Sequence, residues 1–282
     1  MPRFRLSAYI TTTFGVEDWR GFRLCGMDEV GRGAFAGPLV AAAVVLPRGF
    51  RHPWLRDSKR LTAHQREVVA EEVHRRALAC AISEISTADI NRRGLGWANV
   101  EVFRRLVTEV VADGYCCDGR LRIDAAHPVH CLVGGDDLVP SISAASIVAK
   151  VHRDALMRHL HLDAPVYDWA SNKGYGAPVH RAAILAHGVH PEHRRVFIEN
   201  LLQLQLDLGL EVAADTSLAR SGRGCPVAAD LPRPACTAPS SGGAEGLSPP
   251  RSRTRHRNSH LRPRSRDGRR HPSAPPPASP RG

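Results

Sequence analysis

A chain of 282 residues with 43% apolar content is long enough for one large or two small domains with a real core, but its formal charge of +11 is unevenly placed. Residues 209–282 hold 13 Arg, no Lys, 5 acidic residues and 12 of the 21 Pro, whereas the first 208 residues hold 26 basic against 23 acidic groups. The longest apolar run, Leu39 to Leu46, is far short of a membrane span, and seven Cys without a Cys-x-x-Cys pair argue against a disulfide framework or a structural zinc site.

The start, Met-Pro-Arg-Phe-Arg, has no apolar stretch of signal-peptide length, so a cytoplasmic protein with no membrane association is expected. Residues 1–20 read as an N-terminal extension. Phe22 to Met27 and Leu39 to Leu46 read as strands on either side of a glycine turn, the second apolar enough to be buried on both faces. Asp28 and Glu29 close the first strand and run into Val30-Gly31-Arg32-Gly33. Neighbouring side chains on a strand point to opposite faces, so the two acids are expected to share a site only if the turn relaxes the pleat.

Thr62 with Gln65 three residues on forms a capping box, and Val69, Val73 and Leu78 give the helix behind it a buried side. Cys80 to Ile85 alternates like a strand. A helical region is expected from about Asp89 to Asp113, weakened at its start by Gly94 and Gly96. Leu121 to Asp124 reads as a short strand ending on a carboxylate, and Val129 to Val133 as another. Pro140 suits the first turn of a helix running to about Leu162, and helices near Val179–His187 and Glu192–Leu208 follow. Strands alternating with helices predict one α/β domain over 21–208. Residues 209–282 lack the apolar surface to offset chain entropy and read as a disordered Arg/Pro/Ser-rich tail.

Candidate chemistry collects where acids meet element ends. Asp28, Glu29, Asp124 and Asp136 come from two strand ends and a helix entrance. Taken singly each is ordinary turn or cap chemistry, but together they offer an oxygen-ligand cage for two divalent ions, Mg²⁺ or Mn²⁺, of the kind that activates water at a phosphodiester. The chain has only three lysines against 36 arginines, and all lie in compact motifs: Asp57-Ser58-Lys59, Ser143 to Lys150, and Asn172-Lys173-Gly174-Tyr175-Gly176. An ammonium is not interchangeable with a guanidinium where a phosphate is met as a point charge. Ser143, Ser146 and Lys150 share one helix face at i, i+3 and i+7. His159, His161, His187, His190 and His193 lack the Cys partners or His-Glu-x-x-His pattern of a metal site and are expected at the surface or at caps.

These motifs in this order, from Met27 to Gly33, Ala36-Gly37-Pro38, Asp57 to Leu61, Ser143 to Lys150 with Arg153-Asp154, and Lys173 to Gly176, closely resemble bacterial ribonuclease HII over about residues 22–200. The resemblance implies a ribonuclease H-like mixed sheet flanked by helices, with a C-terminal helical part. It implies an enzyme cleaving the RNA strand of RNA/DNA hybrids and cutting 5′ of ribonucleotides embedded in duplex DNA, leaving 5′-phosphate and 3′-hydroxyl ends. Asp28, Glu29, Asp124 and Asp136 would hold the metal ions. The Gly31-Arg32-Gly33 backbone would sense the 2′-hydroxyl, Tyr175 would lie against the next sugar, and Lys59, Ser146 and Lys150 would contact phosphates. A monomer is expected. Two departures stand out: Asp124 is followed by Ala125 where the family carries glycine, and Asn172 stands where histidine is common. The alternative is a non-catalytic nucleic-acid binder with the Arg-rich tail as an electrostatic arm.

Overall fold

Alternation along two apolar strands sets the architecture. In the computed structural model, which describes residues 4–55, 58–199 and 201, β1 (Leu24–Val30) and β2 (Leu39–Val45) pair antiparallel, with Cys25 opposite Val45 and Val30 opposite Val40. β3 (Ala79–Ile85) extends the sheet antiparallel on the far side of β2. β4 (Gly114–Asp118) and β5 (Val129–Leu132) add in parallel beyond β1, giving the order β3-β2-β1-β4-β5. The expected tail and the end of the last expected helix lie outside the described residues, all of which belong to the unit Met1–Ser240.

Every residue of β2 is buried, as an unbroken apolar strand covered on both faces must be. Its odd-numbered residues Leu39, Ala41, Ala43 and Val45 join Cys25 and Met27 in a core with Val102, Phe103 and Leu106 of α4 (Leu95–Glu109). Its even-numbered residues Val40, Ala42 and Val44 pack against α2 (Ala63–Arg76) and α6 (Pro140–Asp163), through Val69, Val73, Ala144, Ala145 and Val148. The sheet is therefore the middle of three layers.

The capping box forms as expected: Thr62 Oγ1 accepts the Gln65 N–H and Gln65 Oε1 accepts the Thr62 N–H. Pro140 opens α6 at its first turn. The start of α6 is rich in Ser and Ala, which lets it lie close on β1. At Gly26 a Cβ would stand 2.3 Å from Ile142 N, so only glycine admits this approach.

Expectations change at Gly94 and over residues 121–124. The single helix expected over Asp89–Asp113 is two, α3 (Thr87–Arg93) and α4, divided at Gly94, whose φ of +85° a helix cannot continue through. Leu121 to Asp124 is irregular; the strand lies earlier, at Gly114–Asp118, where Tyr115, Cys116 and Cys117 are all buried. In the segment read as an N-terminal extension, α1 (Leu6–Phe14) places Ile10 against Leu24, Cys116, Val139 and Ile142. After α6, the short helices α7 (Trp169–Asn172) and α8 (Pro178–His187) build a separate small core of Met157, Tyr167, Trp169 and Ile184 with Ala36 of the glycine-turn loop. Among the described residues no helix is long and apolar enough to cross a membrane.

Candidate active site

β1 carries the acids. Asp28 and Glu29 remain inside the ladder, opposite Ala42 and Ala41, and the strand continues through Val30, so the pleat is not relaxed between them as expected. The two carboxylates point to opposite faces at the end of the strand, and β4 has already stopped pairing there, its last partner being Cys117 opposite Met27. The next residue of β4 is Asp118, which the parallel register puts beside Asp28. Asp118 Oδ1 accepts the Gly135 N–H at 2.8 Å and so ties down the entrance of α5 (Gly135–Leu138), where Asp136 is buried.

Asp118, and not Asp124, thus supplies the third acid of this edge. Asp124 is exposed on the irregular segment after β4, and the fields acting on Asp28 and Glu29 include Asp118. A signal for this was in the chain: Asp118 is followed by Gly119, the acid-glycine step missing at Asp124. Asp136 keeps its expected place, while Asp137 points outward to Arg60 at 3.5 Å.

The edge is electrostatically unfinished. Burial, reinforced by Glu29 and Asp118, pushes the Asp28 carboxyl up to about 8 against the opposing hydrogen bonds from Ser146 and the Glu29 N–H, the latter 2.8 Å from Asp28 Oδ1. Glu29 is raised too, chiefly by burial, and is relieved mainly by Arg32 at 3.8 Å. Lys59 reaches Asp136 at 4.0 Å. Among the described residues no three His, Cys, Asp or Glu groups stand close enough to hold one ion. The donor set nevertheless suits a hard divalent cation: four carboxylates on adjoining elements, two of them, Asp28 and Glu29, held above their ordinary pKa by burial first and by neighbouring acids second.

The expected phosphate contacts are tied to the protein itself. Ser146 lies 3.0 Å from the Ser58 hydroxyl and hydrogen-bonds Asp28, so it bridges the Lys59 segment to β1. Ser143 donates to the Asp136 carbonyl and locks α5 onto α6. Lys150 pairs with Asp154 at 2.5 Å, half-buried, and Lys59 is the exposed cation of the group.

Two loops flank the acids. Gly31 has φ +87°, and a Cβ there would lie 2.1 Å from Arg153 Nε; Arg32 and Gly33 are exposed at the tip. Lys173 and Gly174 are both left-handed, at φ +53° and +79°, and Asn172 stabilises that turn by accepting the Gly174 N–H at 2.8 Å. The half-exposed Tyr175 ring follows, 5.4 Å from the Arg153 guanidinium. Phe35 N–H donates to the Gly174 carbonyl at 2.7 Å, which joins the loops directly. The histidine expectation fails at one end: His193 is buried, against a surface placement, because it packs inside the aromatic cluster of Tyr167, Trp169 and His180.

Comparison with known proteins gives the family and the fold. A family model described as Ribonuclease HII matches residues 25–200. A ribonuclease HII of Ralstonia pickettii is 45% identical over 179 residues, covering 62% of this chain and 77% of that protein. Among solved structures, the ribonuclease H2 of Pyrococcus horikoshii superposes with a TM-score of 0.56 at 21% identity, covering 67% of this chain and all of that one. Bst-RNase HIII in complex with Mn²⁺ superposes with a TM-score of 0.52 at 18% identity, covering 71% of this chain and 74% of that one. At such identities the two structures speak for the fold.

Proposed function

Since the chain belongs to the ribonuclease HII family and is a ribonuclease H, acting on RNA/DNA hybrids, we propose that it is a metal-dependent endonuclease that also cuts 5′ of single ribonucleotides embedded in duplex DNA, leaving 5′-phosphate and 3′-hydroxyl ends. The observation that carries this reading is the placement of Asp28, Glu29, Asp118 and Asp136 on adjoining element ends beside a glycine turn with exposed Arg32 and Gly33.

In this reading Asp28, Glu29, Asp118 and Asp136 hold two divalent ions, which when bound supply Lewis-acid activation of water and stabilisation of the departing 3′ oxygen. The family is divalent-metal dependent, and Bst-RNase HIII has been solved in complex with Mn²⁺; Mg²⁺ or Mn²⁺ is proposed here. Buried Asp28 favours a neighbouring cation because its ionised form is poorly answered within the protein. Ser146 orients Asp28 and, with Lys59 and Lys150, lies near the scissile phosphate. The Gly31-Arg32-Gly33 backbone reads the 2′-hydroxyl, the group that separates RNA from DNA, and Tyr175 lies against the following sugar to report the junction. A monomeric, cytoplasmic protein with its catalytic domain over 21–208 is proposed, the Arg-rich segment 209–282 adding sequence-blind, salt-sensitive attraction.

The test is a DNA duplex carrying one ribonucleotide, incubated with Mg²⁺ and separately with Mn²⁺, next to an RNA/DNA hybrid and an all-DNA duplex. Cutting of the first two, 5′ of the single ribonucleotide and with the stated ends, is expected. Cleavage of the hybrid alone removes the junction-cutting claim, and metal-independent cleavage removes the claim about the ions.

A further inference from the structure

His193 and Arg194 are adjacent, fully buried and outside the acid group, yet between them they reach both flanking loops. Arg194 Nη1 donates to the Gly31 carbonyl at 2.6 Å and the Arg32 carbonyl at 3.2 Å, and Nε donates to the Gly37 carbonyl at 2.8 Å. Its backbone N–H donates to Phe35 O at 2.7 Å. A buried guanidinium answered by carbonyls rather than by a carboxylate is a costly way to fill space, and an apolar side chain of that size would pack at less cost. Burial and the nearby Arg153 guanidinium pull its pKa down to about 9, and its Nη2 has no hydrogen-bond partner among the described residues. What the arrangement does achieve is to hold three carbonyls of the glycine-turn loop from behind.

His193 leads to the other loop. The His190 N–H donates to His193 Nδ1 at 2.8 Å, so the neutral ring carries its proton on Nε2, which faces His180 Nε2 at 3.0 Å. His180 Nδ1–H donates to the Tyr175 carbonyl at 2.8 Å, leaving its Nε2 to accept from His193 and from Trp169 Nε1–H at 3.0 Å. The backbone groups at the two ends thus dictate both tautomers, and the chain runs in one direction from His190 to Tyr175. Arg153 closes the circuit, with Nη2 on the Ala36 carbonyl at 3.0 Å and Nη1 on the Lys173 carbonyl at 2.8 Å.

We propose that the His193-Arg194 pair is a positioning element that couples the Gly31–Gly33 turn to Tyr175, so that hydroxyl recognition and junction recognition move as one unit and set the preference for a single embedded ribonucleotide. The specificity part rests on the function proposed above. Neither side chain is accessible to substrate, so both act through the loops they hold. An RNA/DNA hybrid offers a 2′-hydroxyl at every step and tolerates a displaced turn. A lone ribonucleotide offers one, and both loops must meet it in register.

Arg194→Lys keeps the charge, but one ammonium cannot span the carbonyls of Gly31 and Gly37. His180→Gln loses the donor to Tyr175, whereas His180→Asn can keep that donor but loses the acceptor that meets His193, so the two variants cut the chain on different sides. With Arg194→Lys or His180→Gln, kcat/KM on the single-ribonucleotide duplex is expected to fall about tenfold to a hundredfold, mainly in kcat, with a much smaller loss on the hybrid. His180→Asn, cut off from His193, is expected to lose the preference as well, and a double variant with Arg194→Lys to lose little beyond the worse single one. Hydrogen exchange on the substrate-free protein gives a readout independent of activity: Arg194→Lys should deprotect residues 172–177, beyond the carbonyls of Gly31, Arg32 and Gly37 that its side chain holds, and His180→Gln should deprotect residues 31–37. Equal losses on both substrates, an unchanged preference, a wild-type preference in His180→Asn, or exchange changes confined to the mutated loop would each overturn the proposal. Should Arg194→Lys fail to fold, the two His180 variants decide it. A wild type that cuts only hybrids defeats the functional reading and the specificity claim, and exchange still decides the coupling.

Discussion

Asp28 and Arg194 are both charged side chains withdrawn from water within one site, and the protein treats them in opposite ways. Asp28 sits beside two more acids, with one hydroxyl and one amide to answer it, and its carboxyl rises to about 8. Arg194 aims its donors at carbonyls of a loop that must stay in place, and Arg153 does the same at Ala36, Pro38 and Lys173. The acid edge keeps its charge poorly answered within the protein, while the two guanidiniums are answered chiefly by backbone carbonyls. Charge left unmatched marks where chemistry is proposed; charge matched by carbonyls marks what holds the recognition loops.

The comparison breaks most visibly at the acids. Asp28→Asn and Asp118→Asn are each expected to lower the cleavage rate by about a thousandfold while leaving the fold intact, measured by initial rates and circular dichroism. Asp118→Asn with normal cleavage in Mg²⁺ would remove Asp118 from the acid set. Next in size is Gly31→Ala, which adds a Cβ 2.1 Å from Arg153 Nε at a φ of +87°. It should cost about 1–3 kcal/mol of stability, seen in urea unfolding, together with the single-ribonucleotide preference. An unchanged urea midpoint would show that the turn is not clamped.

The two regions should also give stability slopes of opposite sign with pH. Asp28 ionises near 4 when unfolded and about 8 when folded, so in metal-free protein the folded state binds more protons between those values and stability falls as pH rises through that window. His193 is held down to about 3 by burial and by His180 and His190, against about 6.5 unfolded. There the unfolded state binds more protons, and stability is lost as pH drops from about 6.5 towards 3. Calorimetry across pH 4 to 9 should show the alkaline loss vanish in Asp28→Asn while the acid-side loss remains; a variant with the wild-type alkaline slope contradicts the burial of Asp28. The smallest effect belongs to Asp124→Asn, expected within about 0.5 kcal/mol of wild type in stability because the residue is exposed. A large loss of cleavage there would restore it to the acid set in place of Asp118.

Much of the fold was legible because local physics and tertiary packing agree. The β2 run, the Thr62–Gln65 capping box and Pro140 at the head of α6 each report a structural demand met within a few residues. The third acid was not legible in the same way. Ile123 before Asp124 looks like a strand end, whereas Tyr115-Cys116-Cys117 carries a strand signal only once its burial between β1 and β5 is known. His193 was misplaced for a related reason: an imidazole can be surface or core, and only its ring neighbours decide.

By itself the sequence determined the family, the α/β alternation and the two glycine-flanked loops, and it put Asp28, Glu29 and Asp136 at element ends, since these rest on residue type and near-neighbour spacing. Tertiary structure alone decided that Asp118 joins Asp28, that Ser143 and Ser146 are bound inward, and that His193 and Arg194 meet loops far away in the chain. Those facts depend on parallel strand register and on burial, which arise only when segments distant in sequence pack together.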